Sequence, residues 1–151
     1  MGTAKALYLS LVLQINNEIN TEKLIVSMLK KGLNIFLAKQ EVGNVNQVFI
    51  KKVKKDNSGA KSFVVENTHY AMSLNYFDLV ILPLVGVDSK GYRLGFGNGY
   101  FDKLLCNFKN NNPKKTIIGL GYAFQLTSEN FAENHDLKFD TVFTELGGQH
   151  F

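Results

Sequence analysis

The order of patterns between residues 6 and 38 restricts the possible folds more than any other feature of this sequence. Residues 6–13 are dense in Leu, Val and Tyr, which is typical of a buried strand. Thr21 then has the side chain of a helix N-cap, and the helix is predicted to end at Gly32, since glycine tolerates a left-handed conformation. Its apolar face would contain Leu24, Ile25, Met28 and Leu29. With a second apolar strand at 34–38, this segment forms a βαβ unit, which favours a parallel sheet.

Further strands and one more helix follow this unit. An Asn-Ser-Gly turn at 57–59 predicts a hairpin, residues 79–82 form an apolar strand before Pro83, and residues 100–109 have helical spacing. The other predicted elements are the hairpin strands at 45–53 and 62–66, a strand at 116–122, and a last strand at 141–144. Together they predict an α/β fold, a three-layer α/β/α arrangement with a mainly parallel central sheet. The 151 residues are 45% hydrophobic and 20% charged, so residues 1–151 are predicted to form a single domain.

The cysteine content and the length of the apolar stretches indicate the compartment. Cys106 is the single cysteine, so no internal disulfide is possible, which suits a reducing environment. The apolar stretch at 6–13 is far shorter than the roughly 18 residues of a membrane-spanning helix, and it lacks the flanking features of a signal peptide. We therefore expect a cytoplasmic protein with no membrane association. A monomer is a separate expectation.

A cluster of lysines contributes to the net charge of +4. Its members, Lys51, Lys52, Lys54 and Lys55, precede the turn at 57–59, and basic runs of this kind occur in nucleic-acid-binding modules. They are also typical of the solvated end of a hairpin, where lysine protects an edge strand. No aromatic residues alternate with these lysines as a base-stacking surface requires, so the hairpin is favoured and no nucleic-acid partner is expected. A basic surplus also suits polyanionic ligands.

Three alternating glycines mark the most informative segment of the chain. Gly95, Gly97 and Gly99 precede the helix predicted at 100–109, and successive backbone N–H groups in such a loop form an anion-binding nest. The positive N-terminal end of a helix favours a phosphate group at the same place. The segment therefore predicts a phosphate site.

Two side chains near this loop have chemistry suited to a phosphate. Arg93 offers a charge-assisted contact to phosphate or carboxylate, and Asp102 is a candidate ligand for a Mg²⁺ ion that bridges nucleotide phosphates. Each has a simpler interpretation, Arg93 as a surface arginine and Asp102 as a residue that compensates the helix dipole. The loop is not a P-loop, because it has no lysine, and Tyr100 stands where the dinucleotide fingerprint requires its third glycine.

Four blocks of the sequence occur in an order and spacing found in one known family. The main block, from 78 to 103, contains DLVILPLVGVD and GYRLGFGNGYFDK, and two others are IGLGYAFQ at 118–125 and HDLKFDTVFTE at 135–145. The fourth, at 7–37, is a strand–Glu–Thr–helix–strand pattern with Glu18 and Thr21 in place. Together the blocks resemble the 5-formyltetrahydrofolate cyclo-ligase family, also called methenyltetrahydrofolate synthetases. The family's N-terminal helical segment, with its phosphate-binding lysine and arginine, has no match and is expected to be absent.

The resemblance implies a ligase that closes 5-formyltetrahydrofolate to 5,10-methenyltetrahydrofolate, with ATP as co-substrate, Mg²⁺ as cofactor, and ADP and phosphate as products. By matched position, the ATP-binding residues would be Arg93, Leu94, Gly95, Phe96, Gly97, Asn98, Gly99, Tyr100 and Phe101. The folate would contact Leu13, Glu18, Phe96, Gly97, Asn98, Gly99 and Tyr100. The resemblance implies Asp102 and Asp140 as the Mg²⁺ ligands, and Arg93 and Tyr100 as the catalytic residues.

Other interpretations stay open on the sequence alone. The unmatched phosphate-binding segment also fits a catalytically impaired relative that binds folate or nucleotide. A basic nucleic-acid-binding module that uses residues 51–55 is the third hypothesis. Leu13 also fits a simple core residue, and Glu18 a residue that caps the next helix.

Overall fold

A nine-stranded sheet is the main element of the fold, and a separate pair of short strands contains Arg93. The computed structural model describes residues 7–10, 19–39, 48–94, 100–106, 108–110, 112–133 and 136–151. In chain order the strands are β1 (Leu7–Ser10), β2 (Asn34–Lys39), β3 (Val48–Lys55), β4 (Phe63–Val65), β5 (Tyr70–Met72), β6 (Leu79–Pro83), β7 (Gly86–Val87), β8 (Arg93–Leu94), β9 (Thr116–Leu120), β10 (Thr141–Thr144) and β11 (Gly147–His150). The large sheet has the order β11-β10-β9-β6-β1-β2-β3-β4, with β5 also on β3, while β7 and β8 pair separately.

Both parallel and antiparallel pairs occur in this sheet. The pairs β10–β9, β9–β6, β6–β1 and β1–β2 are parallel. The pairs β10–β11, β2–β3, β3–β4 and β3–β5 are antiparallel. Two α-helices, α1 (Glu22–Lys30) and α2 (Tyr100–Leu105), and two short 3-10 helices, Leu74–Tyr76 and Ala123–Gln125, complete the described elements. The fold is therefore a mixed α/β fold, as the sequence predicted.

The connection from β1 to β2 runs through α1, which packs by its predicted face. Ile25, Met28 and Leu29 are buried and cluster with Ile35 of β2 and Ile81 of β6. Burial of such side chains is the main favourable contribution to folding, at about 1.5–3 kcal/mol for each. This packing explains why the apolar spacing of the sequence predicted the helix correctly.

The two ends of α1 differ in how well the sequence predicted them. At the C-terminal end, Gly32 has the expected positive φ, at 77°, and its N–H donates to the Leu29 carbonyl at 3.0 Å. At the N-terminal end, Thr21 has the N-cap position, but its side chain makes no capping hydrogen bond. Asn20 Oδ1 accepts the Glu22 N–H instead, at 2.9 Å. The prediction that the Thr21 hydroxyl caps α1 is therefore wrong.

The second core cluster contains residues from the other predicted helix. Leu105 at the end of α2 and Phe108 just after it are buried with Val80, Leu82 and Phe139. The prediction of a helix over 100–109 is too long, because α2 ends at Leu105. The Phe108 N–H then bonds to the Leu105 carbonyl at 3.0 Å, a tight turn that directs Phe108 into the core.

Three strand predictions need correction. The strand at 141–144 is not the last, since β11 follows it and pairs with it. The lysines of residues 51–55 lie on β3, which has β2 on one side and β4 and β5 on the other, so they do not protect an edge strand. The short strands β5, β7 and β8 were not predicted.

Candidate active site

Arg93 lies on β8, in the short hairpin that β7 and β8 form. Val87 is its partner across the two strands, and the Arg93 N–H donates to the Leu137 carbonyl at 2.8 Å. The residue is 3% exposed, so the interpretation of Arg93 as a surface arginine is wrong. A guanidinium so deeply buried lies in a low local dielectric, which strengthens its interaction with an anion.

A buried carboxylate that the sequence reasoning did not single out holds the turn between β7 and β8. Asp88 is 2% exposed, and its Oδ1 accepts the N–H groups of Lys90 and Tyr92, both at 2.9 Å. Gly91 follows with a φ of 90°, which glycine adopts without strain. The available signal was an Asp followed three residues later by a Gly, which is turn chemistry. This turn fixes where β8 begins and therefore where Arg93 lies.

Part of the predicted site lies outside the described residues, namely Leu13, Glu18, Gly95, Phe96, Gly97, Asn98 and Gly99. Among the neighbouring residues, Leu94 ends β8 and is 44% exposed. Tyr100 and Phe101 are the first two residues of α2. Residues 95–99 therefore join the strand that contains Arg93 to the helix that contains Asp102.

Asp102 is tied to Arg93 through the backbone of one residue. The half-buried Asp102 carboxylate accepts the Leu137 N–H through Oδ1 at 3.1 Å, while the Leu137 carbonyl accepts the Arg93 N–H. Leu137 is itself buried. A carboxylate and a guanidinium are thus positioned on the two elements that residues 95–99 connect.

Asp140 has a partner for each of its carboxylate oxygens. Its Oδ2 accepts the Ile117 N–H at 2.7 Å, and its Oδ1 forms an ion pair with Lys109, the two side chains being 34% and 36% exposed. The Asp140 N–H also donates to the Ile117 carbonyl at 2.9 Å, and the Asp140 carbonyl accepts the Phe151 N–H at 3.1 Å. Asp140 therefore fastens the segment before β10 to the start of β9.

One cavity of about 500 Å³ brings together the two predicted metal ligands, Asp102 and Asp140. Lys109 and Asp136 also line it. No group of three His, Cys, Asp or Glu side chains in the described part of the chain is placed to hold a metal ion. Mg²⁺ prefers carboxylate oxygens, so the half-buried Asp102 fits such an ion, whereas Asp140 would have to exchange Lys109 for the metal.

A second cavity, of about 830 Å³, opens at the start of α1. It is lined by Ile19 and Asn20, which directly follow Glu18 in the sequence, and by Tyr122, which lies just beyond β9. In open α/β sheets, ligands bind outside the carboxyl ends of parallel strands. The cavity is therefore lined by the two residues that follow the predicted pterin contact Glu18 in the sequence.

The lysines of residues 51–55 do not form one basic surface. Lys51 and Lys52 are consecutive residues of β3, so their side chains leave opposite faces of the sheet. Lys54 forms an ion pair with Glu66, and the hydrogen bond from Lys54 is the main reason that the pKa of Glu66 is lowered. This arrangement favours the hairpin interpretation over a nucleic-acid-binding surface.

Comparison with known proteins identifies the family of this chain. The model of the 5-formyltetrahydrofolate cyclo-ligase family matches residues 3–145. The chain belongs to this family. The cyclo-ligase of Mus musculus is 25% identical over 147 residues, covering 91% of this chain and 72% of the relative. The cyclo-ligase of Haemophilus influenzae is 29% identical over 133 residues, covering 84% and 69%. The cyclo-ligase of Mycoplasma pneumoniae is 37% identical over 71 residues, 47% of this chain and 41% of the relative.

Solved structures agree with this assignment to the cyclo-ligase family. The 5,10-methenyltetrahydrofolate synthetase of Aquifex aeolicus superposes with a TM-score of 0.69 at 26% identity, covering 97% of this chain and 72% of that one. The synthetase of Mycoplasma pneumoniae gives a TM-score of 0.65 at 24% identity, covering 89% and 71%, and supports the fold. The family and enzyme class predicted from the sequence are therefore confirmed. In the described segments of this family member, no helix is long and apolar enough to cross a membrane.

Proposed function

We propose that this chain itself closes 5-formyltetrahydrofolate to 5,10-methenyltetrahydrofolate at the expense of ATP. The formyl oxygen attacks the γ-phosphorus and ADP leaves. The neighbouring folate nitrogen then attacks the activated formyl carbon and loses its proton to water, and phosphate leaves. Such a reaction depends on positioning and on neutralised charge more than on a protein nucleophile. The observation that carries the proposal is the buried Arg93, joined through Leu137 to Asp102.

The ATP phosphates would lie against Arg93 and along residues 94–101. The Arg93 backbone is fixed by its strand pairing with Val87 and by the hydrogen bond to Leu137, and the residue is buried, so its guanidinium has little freedom left to lose when it binds an anion. Its burial places this charge in a low dielectric, where contact with a phosphate is strong. Arg93 would therefore orient the γ-phosphoryl group, and Tyr100, at the first position of α2, would contact the transferred group.

A Mg²⁺ ion would be held by Asp102, with Asp140 as a second ligand once Lys109 has moved aside. Both carboxylates line the cavity of about 500 Å³, which supports this pairing. When bound, the ion would neutralise charge on the nucleotide phosphates. Until then the Lys109 ammonium supplies the positive charge at Asp140.

The folate would bind between the start of α1 and residues 96–100, with Leu13 and Glu18 against the pterin. The cavity lined by Ile19, Asn20 and Tyr122 adjoins this place and supports the assignment. A carboxylate such as that of Glu18 suits the pterin because the pterin presents several N–H donors.

Several coarser expectations are part of the same proposal. We propose a single domain over 1–151 with a three-layer arrangement around a mainly parallel central sheet. Two core clusters, one including α1 and the other the end of α2, support this arrangement. We also propose that the protein is a cytoplasmic monomer with no nucleic-acid partner and no membrane association.

The test is formation of the conjugated methenyl product, followed by its absorbance with 5-formyltetrahydrofolate, ATP and Mg²⁺ present together or omitted one at a time. We expect product only when all three are present. Asp102→Ala should lower turnover by at least about 100-fold, the scale seen when a major electrostatic group is removed. Folate binding in this variant should stay near that of the wild type, because Asp102 is assigned to the metal.

The control is Glu129→Ala, at an exposed acidic residue outside both cavities, which should match the wild type. Unchanged turnover in Asp102→Ala would remove the metal role of Asp102. A folded wild-type protein that binds folate without forming product would instead identify a catalytically impaired relative.

A further inference from the structure

A stacked aromatic pair lies exposed just beyond the carboxyl end of β9. The rings of Tyr122 and Phe124 are parallel within 8°, with their centroids 5.8 Å apart, and Phe124 is 82% exposed. A large apolar side chain this exposed gains little from folding. The pair leaves the ring of Phe124 available for stacking on another aromatic group.

Several hydrogen bonds hold the backbone of this pair in place. Gln125 Oε1 accepts the Tyr122 N–H at 2.7 Å, and Gln125 Nε2 donates to the Leu84 carbonyl at 2.7 Å. The Ala123 N–H donates to Glu145 Oε2 at 2.9 Å. The short 3-10 helix Ala123–Gln125 is therefore anchored to the segment after β6 and to the turn after β10. A ring on such an anchored element is preorganised for binding, since little freedom is lost on contact.

The segment that contains the pair contacts two parts of the proposed active site. On one side, Tyr122 lines the cavity at the start of α1 with Ile19 and Asn20, next to the proposed pterin contact. On the other side, Leu126 bridges to Val87, the strand partner of Arg93. A ligand in that cavity would therefore contact Tyr122, on which Phe124 stacks.

The charges of the same cavity fit an anionic extension of that ligand. Lys23 and Lys30 on α1 line it, and Glu22 is the one acidic residue among its described lining residues. Both lysines are exposed and lie two turns apart on the helix. A chain of carboxylates that follows α1 would meet both ammonium groups.

We propose that the Tyr122–Phe124 pair stacks on the p-aminobenzoyl ring of the folate, and that Lys23 and Lys30 bind its glutamate tail. This inference rests on the proposed function, because it takes the folate as the ligand. The adenine ring of ATP is a less suitable occupant, since Tyr122, Lys23 and Lys30 share a cavity that Arg93 does not line.

The test compares Phe124→Ala with Phe124→Tyr, which keeps the ring. Calorimetric titration with 5-formyltetrahydrofolate should show binding weakened about three- to ten-fold in Phe124→Ala and nearly restored in Phe124→Tyr. The KM for folate should rise by a similar factor, with kcat and the KM for ATP unchanged. Leu146→Ala is the matched control, because Leu146 is as exposed as Phe124, at 83%, but has an aliphatic side chain that cannot stack.

The tail is tested with the triglutamate form of the same folate. Lys30→Ala should weaken triglutamate binding about three-fold, less so at high salt, and should weaken monoglutamate binding by a smaller factor. Three results for Phe124→Ala would overturn the inference: unchanged folate binding, a rise in the KM for ATP alone, or an effect on self-association alone. If the wild-type protein does not bind folate, the proposed function is refuted, and this inference with it.

Discussion

Replacing Asp140 with alanine tests how much its structural contacts contribute apart from its proposed role at the metal. The charge-assisted hydrogen bond from the Ile117 N–H, at 2.7 Å, should contribute about 1.5–3 kcal/mol. The ion pair with Lys109 adds at most about 1 kcal/mol, because both side chains are about a third exposed and solvent screens them. We therefore expect Asp140→Ala to lower the free energy of unfolding by about 2–3 kcal/mol. For a chain of this length that corresponds to a fall in Tm of about 4–12 °C.

The assay is thermal denaturation followed by circular dichroism, without nucleotide or metal. Lys109→Met is the matched variant, because it removes the ion pair and leaves the hydrogen bond to Ile117. Its Tm should fall by no more than about 4 °C, given a loss of at most about 1 kcal/mol. Asp140→Asn should lie between the two variants, since its amide oxygen still accepts the Ile117 N–H.

Equal Tm values for Asp140→Ala and Lys109→Met would refute the assigned contribution of the Ile117 hydrogen bond.

The same variants also test whether Asp140 is a ligand of Mg²⁺. If Asp140 exchanges Lys109 for Mg²⁺, Lys109→Met should bind Mg²⁺ at lower concentrations than the wild type, because the competing ammonium is gone. An unchanged Mg²⁺ titration in Lys109→Met would mean that Asp140 is a structural residue only.

Two further predictions concern buried cations. Arg93→Lys should raise the KM for ATP about ten-fold and leave the KM for folate unchanged, because an ammonium cannot make the bidentate contact of a guanidinium. An effect on the KM for folate alone would contradict the assignment of Arg93 to the ATP phosphates. Burial is the main cause that lowers the pKa of Lys115 from 10.5, while Asp78 acts in the opposite direction. At alkaline pH below 10.5 the unfolded chain then binds more protons than the folded chain, so the free energy of unfolding should rise with pH in this range. Denaturant titrations at several pH values should show a smaller rise for Lys115→Met than for the wild type.

Local patterns were sufficient for the elements whose side chains repeat with a clear period. The apolar face of α1 and the continuous apolar run of β6 predicted both elements within a residue or two. Gly32 ended α1 as expected, because its positive φ is a property of the local chain. The N-cap was missed because Asn20 and Thr21 both have capping side chains, and local sequence does not decide between them.

Tertiary contacts decided what the sequence could not predict. Two-residue strands such as β7 and β8 have no period to detect, and β11 is rich in glycine and polar residues. The burial of Arg93 follows from its pairing with Val87 and its bond to Leu137, which is far away in the sequence. The site residues on the glycine-rich segment were predicted by resemblance and stay predictions, since residues 95–99 lie outside the described structure.

The position of β1 in the middle of the sheet has a consequence for the order of folding. Tyr8 of β1 pairs with Ile35 on one side and with Leu79 on the other, about seventy residues along the chain. The antiparallel strands β2, β3, β4 and β5 pair with near neighbours in sequence, so their loops close at a low entropic cost. The parallel pairs β1–β6 and β6–β9 join strands that are far apart in the sequence. They should therefore form later and more slowly. Pairing of β2 to β5 should thus precede pairing of β1, β6 and β9, and amide labelling during refolding should find β2 to β5 protected first.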